Sequence, residues 1–123
     1  MGKYVIKAAK NGLKFDLKAA NGEVVASSQT YVSLASCKNG IAGIRKNAPV
    51  AAIEDQTVSG YAHVHNPKFE IFTNRRGEFM FQLKAGNGQI ICVSEGYKAK
   101  KSCLNGIASV RKNSDSPIEN TVR

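Results

Sequence analysis

From Leu13 to Lys18 the side chains alternate, with Leu13, Phe15 and Leu17 apolar and Lys14, Asp16 and Lys18 charged. A period of two puts one set on each face of a strand, so this segment predicts a strand with one buried and one wet face. Tyr4-Val5-Ile6-Lys7 predicts a strand before it, and Asn11-Gly12 supplies the positive-φ residues of a two-residue hairpin. Asn21-Gly22 turns the chain again into a third strand within residues 23–27, which carries Val24 and Val25. Beyond Tyr31 the period lengthens. Cys37, Ile41 and Ile44 fall at i, i+4 and i+7, the stripe of a helix laid on the sheet. Ser33 is its N-cap candidate, Arg45 and Lys46 complement the dipole at its end, and Asn47 is a left-handed cap candidate ahead of Pro49. Ala52-Ile53-Glu54-Asp55 predicts a short closing strand.

The same pattern then returns. Residues 17–47 recur as residues 83–113, displaced by 66 positions with roughly half of the side chains identical. Each copy opens with Leu-Lys-Ala and an Asn-Gly turn, reaches a Tyr, and closes with Cys-x-Asn-Gly-Ile-Ala-x-(Ile/Val)-Arg-Lys-Asn. Pro117-Ile118-Glu119-Asn120 answers the closing strand of the first copy. The unit is therefore strand, strand, strand, helix, strand, with residues 1–55 as the first repeat, 56–68 as a connector and 69–123 as the second. In the connector, Tyr61-Ala62-His63-Val64-His65 predicts a brief strand before an Asn66-Pro67 turn. The second helix is expected from about Lys100 to Asn113, with a later start at Ser102 as the alternative, because Ala99 stands where the first copy has Ser33. A repeat of about 60 residues buries only a thin core, so the two are expected to share one and form a single compact domain over 1–123. Gly40 and Gly106 lie mid-helix, where Gly costs about 1 kcal/mol relative to Ala, and mark places where helix backbone approaches the sheet or the other helix.

With the repeat laid out, the chain resembles the YegP-like family, small bacterial and archaeal proteins with one or two copies of a domain of unknown function. In the second copy the likeness rests on Phe79, Phe81, Leu83-Lys84-Ala85, Asn87-Gly88-Gln89, Ser94, Tyr97, Asn105-Gly106-Ile107 and Ser109-Val110. In the first it rests on Leu13, Phe15, Leu17-Lys18-Ala19, Asn21-Gly22, Ser28, Tyr31 and Asn39-Gly40-Ile41, with departures at Thr30 and Gly43. The resemblance implies an α+β fold in which two β-β-β-α-β repeats share one antiparallel sheet, with both helices on one face and the C-terminal strands of the repeats exchanged. It carries no activity over. Asn39 and Asn105 are poor helix formers in mid-helix and are expected to bond a polar partner, a backbone group of the exchanged strand before a ligand.

Eighteen Lys and Arg against nine Asp and Glu leave a net charge of +9 and a pI of about 9.7. Such a field attracts polyanions, with solubility as the plain alternative. If the helices cover one sheet face, Lys7, Lys14, Lys18 and Lys84 share the other, Arg75-Arg76 form a basic turn, and Lys98, Lys100 and Lys101 a basic helix start. These residues are the candidates for nucleic-acid contact. Aromatic platforms are scarce: that open face offers only Phe72 and Met80, and the chain has no Trp, so contact would be weak and independent of base sequence.

Other chemistry finds less. His63 and His65 make two of the ligands a metal needs, and no third motif completes a site, so neither a metal nor another cofactor is expected. Cys37, Cys92 and Cys103 read as packed thiols without a base beside them. Asp16, Glu70 and Glu78 are spaced as isolated carboxylates, and no phosphate-cradling glycine loop is present, so an enzyme is not expected. No apolar run approaches the ~20 residues of a membrane span, residues 1–10 lack a signal-peptide core, and the cysteine count is odd; together they predict a cytoplasmic protein without membrane contact. Two repeats already supply a two-fold, which favours a monomer over a homodimer. The sequence thus predicts an uncharacterised small non-catalytic binding or structural module, with sequence-independent nucleic-acid binding as the alternative and nucleic acid or protein as partner.

Overall fold

The computed structural model describes residues 2–122. The first repeat contains β1 (Lys3–Ala9), β2 (Gly12–Lys18), β3 (Val24–Ser27), α1 (Leu34–Asn47) and β4 (Ala52–Asp55). The second contains β5 (Lys68–Thr73), β6 (Phe79–Lys84), β7 (Ile90–Val93), α2 (Lys100–Asn113) and β8 (Ile118–Asn120). Ala9 faces Gly12, so the first hairpin closes through Lys10 and Asn11, and Asn11 takes a positive φ of 67°. Residues 61–65 form no strand. That expectation fails because this segment joins no strand ladder: Tyr61 N–H turns back to the Val58 carbonyl (3.2 Å), and Val64 N–H is bound by a carboxylate, described below.

All eight strands join one sheet in the order β4-β5-β6-β7-β3-β2-β1-β8. β4 of the first repeat pairs with β5 of the second, and β8 of the second pairs with β1 of the first, so the closing strands are exchanged. Both exchanged pairs are parallel and the remaining pairs antiparallel, which makes the sheet mixed at its two edges. The halves meet between β3 and β7, where the pairing is a single register position, Ser27 opposite Val93. Ser28 and Ser94, repeated in sequence, finish the ladder beside this seam: each hydroxyl accepts the N–H of Phe15 or Phe81 (2.9 Å each) and donates to the next residue's carbonyl.

Both helices lie on one face, over a core that includes Tyr4, Ile6, Phe15 and Leu17 of one half and Phe69, Ile71, Phe81 and Leu83 of the other. The core is continuous across the seam, because α1 also packs on β7 and α2 on β3. Two arginines clasp the crossovers. Arg45 of α1 donates to the Ser116 carbonyl (2.7 Å) over the Tyr4 ring, and Arg111 of α2 donates to the Ala51 carbonyl (2.6 Å) over Phe69. Each helix thereby holds the segment by which the other repeat's last strand arrives.

Some helix details depart from expectation. α2 begins at Lys100, two residues ahead of Ser102, although Ala99 offers no side-chain cap; the Phe79–Tyr97 bridge fixes the approach of the chain and overrides the missing cap. In α1 the Ser33 hydroxyl does cap, accepting from Ser36 N–H at 3.1 Å. Asn47 does not turn left-handed: Ala48 continues in helical geometry, and the Asn47 amide bonds the Gly43 carbonyl at 2.8 Å, as Asn113 bonds that of Ser109. Gly40 does meet the sheet closely, through the Phe15 ring of β2, and also the Tyr31 hydroxyl; Gly106 meets Phe81 of β6 and Tyr97 in the same way, and neither glycine touches the other helix. Asn39 and Asn105 reach no exchanged strand. Both are exposed, and their side chains make no hydrogen bond among the described residues.

Candidate basic surface

On the face away from the helices, β1 and β2 place Lys7 opposite Lys14 and Lys3 opposite Lys18, with Asp16 opposite Val5 between them. Asp16 is buried. Its carboxylate accepts from Lys7 Nζ at 2.6 Å and from Ser27 Oγ at 2.7 Å. Burial pushes this carboxyl up, but the Lys7 and Ser27 hydrogen bonds outweigh it and leave the group below its ordinary value. Lys3 pairs with Glu119 at 3.1 Å. Lys14 and Lys18 have no ion pair among the described residues. Like charges opposite one another on an antiparallel pair are destabilising, so the local fold does not ask for these two lysines.

The matching face of the second half is occupied. Lys84 does lie on it, opposite Lys68, and pairs with Glu70 at 3.3 Å. Glu54 is 2% exposed and Glu70 4%. Lys68 Nζ donates to Glu54 at 2.8 Å, Gln56 donates to both carboxylates, and Gln82 donates to Glu70 at 2.6 Å. The connector is drawn onto this network through Val64 N–H, 2.7 Å from Glu54 Oε2. Hydrogen bonds from Gln56, Lys68 and Val64 hold the Glu54 carboxyl down at about 2. Burial pushes Glu70 up, and the Gln82 and Lys84 hydrogen bonds bring it below its ordinary value. His63 and His65 are exposed, His63 lying 3.9 Å from Glu54, and no group of three metal-ligating side chains occurs among the described residues.

Arg75 and Arg76 occupy the β5–β6 turn, which Asn74 shapes by accepting from the N–H groups of Arg76 and Glu78. This turn and the start of α2 share one end of the molecule, since Tyr97 bridges Phe79 and Gly96 lies against Asn74 and Glu78. Lys98 and Lys101 are exposed there, whereas Lys100 is paired with Asp55 at 2.8 Å. The first half has Val32, Leu34 and Ala35 at the equivalent positions, so the basic cluster belongs to one repeat alone. The thiols of Cys37, Cys92 and Cys103 are buried, and burial pushes all three up, Cys92 to about 12 and Cys103 to about 11.

A family model described as a domain of unknown function (DUF1508) matches residues 8–55 and again 74–119, one match per repeat. The chain belongs to this family. Among DUF1508 relatives, UPF0339 protein YegP of Yersinia pestis is 42% identical over 119 residues, covering 96% of this chain and 93% of its own. YegP of Escherichia coli K12 is 37% identical over 110 residues, covering 89% and 86%. The solution NMR structure of yegP from E. coli, a protein of unknown function, superposes with a TM-score of 0.79 over 98% of this chain and 92% of that one at 34% identity. That of UPF0339 protein SO3888 from Shewanella oneidensis gives the same TM-score at 30% identity, over 97% and 90%. The YegP-like resemblance read from the motifs is thus this family, and the eight-stranded two-helix fold is shared with its solved members. No helix of the described residues is long and apolar enough to cross a membrane.

Proposed function

We propose that this DUF1508 chain is a non-catalytic binding module, acting as a cytoplasmic monomer, and that its partner is a polyanion of the nucleic-acid class, met weakly and without base preference. The observation that carries the reading is the pair Lys14 and Lys18, which make no ion pair among the described residues and lie on a sheet face that the connector leaves open, opposite Lys7 and Lys3. Lys98, Lys101, Arg75 and Arg76 extend the positive field at the α2 start, and Lys84 and Lys100 contribute to it from within ion pairs. Against catalysis stand the buried thiols, which burial pushes away from thiolate, and the buried carboxylates Asp16, Glu54 and Glu70, which their hydrogen-bond partners hold below their ordinary values.

Fluorescence anisotropy of labelled single- and double-stranded DNA and RNA, titrated across salt, tests this. We expect dissociation constants of about 10⁻⁴ to 10⁻⁶ M, with log affinity falling linearly in log salt. Lys14→Gln with Lys18→Gln should lower the salt slope by about two, one for each phosphate that no longer meets a lysine. Absence of binding at low salt overturns the polyanion reading and turns the search to a protein partner.

A further inference from the structure

On the helix side, away from the lysines, the fold makes two equivalent clefts, each where one repeat's helix meets the other repeat's turn. In the first, Ser36, Asn39, Gly40 and Gly43 of α1 face Asn87 and Gln89 in the β6–β7 turn. In the second, Ser102, Asn105, Gly106 and Ser109 of α2 face Asn21 and Glu23 in the β2–β3 turn. The 66-residue shift relates all of the second lining to the first, which adds Gln29 and Ile90. The clefts are not equal: the first encloses about 410 Å³ and the second about 230 Å³. Gly43 stands where the second cleft has Ser109, over Ile91 where the second has Val25. Small-molecule sites usually measure about 300–1,000 Å³, which only the first reaches.

The first lining carries no charged side chain. Gln29, Asn39, Asn87 and Gln89 bring amides, each able to donate and accept, and Tyr31 brings a hydroxyl. Asn39 and the Tyr31 hydroxyl make no hydrogen bond among the described residues, and Asn87 uses only its oxygen, which accepts Gln89 N–H at 3.0 Å. An exposed Asn in mid-helix disfavours the helix, and here its side chain makes no hydrogen bond among the described residues to offset that. Ile90, Ile91 and the glycine backbone supply an apolar floor. Tyr31 is the one aromatic residue of the lining; its ring is stacked on Phe15 at 6.2 Å, with its hydroxyl end beneath Gly40. A saturated ring with hydroxyls around its rim and C–H groups on its faces matches this set of amides over an apolar floor.

We propose that the first cleft is a binding site for an uncharged saccharide, completed only when α1 of one repeat meets the β6–β7 turn of the other. The second cleft, narrower and carrying Glu23 in place of Gln89, is not a site of equal affinity.

Amide chemical shifts of the full chain, followed by NMR during titration with glucose, maltose and N-acetylglucosamine, test the assignment. At least one sugar should give saturable shifts at Asn39, Gly43 and Asn87. Asn39→Ala, an exposed and helix-favouring change, should weaken that binding about tenfold, as expected for loss of one or two hydrogen bonds. Gly43→Ser should weaken it at least as much; its new Cβ would come 3.3 Å from the movable tip of Ile91, so a dispersed spectrum should persist. Absence of a saturable shift with all three sugars overturns the proposal. So does a shift that both variants leave unchanged, or saturation of the same amides by adenosine monophosphate or a neutral tripeptide when the sugars give none.

Discussion

Gly40 and Gly43 lie one turn apart on α1, and a methyl group has opposite consequences at the two. In an exposed helix interior, replacing Gly by Ala gains about 1 kcal/mol. At Gly40 a new Cβ meets the Tyr31 hydroxyl and the Phe15 ring, and at Gly106 it comes 2.7 Å from the Tyr97 hydroxyl and 2.9 Å from Phe81. Phe15 and Phe81 are fully buried, and the half-buried Tyr31 and Tyr97 rings are stacked on them, which resists their displacement. Gly40→Ala and Gly106→Ala should therefore destabilise by about 1–3 kcal/mol, the cost of overpacking, while Gly43→Ala is neutral or stabilising. Urea midpoints decide it, and equal midpoints for the Gly40 and Gly43 variants would refute the steric account. Tyr31→Phe, which removes the nearest atom, should recover part of the Gly40→Ala loss. The repetition of Gly40 as Gly106 made a close approach legible in the sequence. Which group approaches was not, because Tyr31 precedes the helix and only the Leu13–Tyr31 bridge brings it back beneath Gly40.

At the scale of elements, alternation and period sufficed for the strands and helices, since Leu13–Leu17 and Cys37–Ile44 sort their side chains within a few residues. Pairing partners are different in kind. Nothing local in Ile53 or Ile118 says which half of the sheet receives it, and the exchange came from the family resemblance alone. The candidate surface was legible in part: Lys7, Lys14, Lys18 and Lys84 do share a face, but the pairing of Lys84 and Lys100 depends on Glu70 and Asp55 reached through tertiary contact. The clefts were still less legible, because the first lining combines residues about fifty positions apart and the second residues about eighty apart. Helix-end arginines likewise read as partners of the dipole, whereas Arg45 and Arg111 clasp the incoming crossovers. Arg45 is half-buried and Arg111 exposed, and only the Arg45 side is reinforced by a tyrosine hydroxyl, Tyr4 to the Ser114 carbonyl at 2.7 Å. Arg45→Met should then cost about 1.5–3 kcal/mol, the range for a charge-assisted hydrogen bond, and Arg111→Met less. Hydrogen exchange at the Tyr4 amide, which bonds the Pro117 carbonyl at 2.8 Å, should quicken in the Arg45 variant as β8 loosens. An unchanged Tyr4 exchange rate would show that the crossover is held by packing alone.

Across the whole molecule the backbone is pseudo-symmetric and the electrostatics are not. The second half buries Glu54 and Glu70 under the connector, the first buries Asp16 alone, and the chain as a whole already carries +9. All three carboxyls lie below their ordinary values in the fold. An unfolded Glu takes up its proton near about 4.3, whereas folded Glu54 does so at about 2, so between these values the unfolded state binds more protons. The contribution is complete above about pH 5 and is lost as pH falls towards 2. Protonation also removes negative charge from a positive molecule and strands Lys68 and Lys84 beside neutral acids, which adds self-repulsion. Melting temperature should therefore be flat from about pH 7 to 5 and fall steeply below. Glu54→Gln should start lower and fall less steeply, having lost the group with the deepest shift. Because Glu54 is also the acceptor for Val64 N–H, exchange at Val64 should accelerate on acidification before that of the β1–β2 ladder does. The same acid slope in Glu54→Gln as in the native chain would place the acid sensitivity in Asp16 and Glu70, and simultaneous loss of Val64 and β1–β2 protection would mean that the connector is released only with the fold.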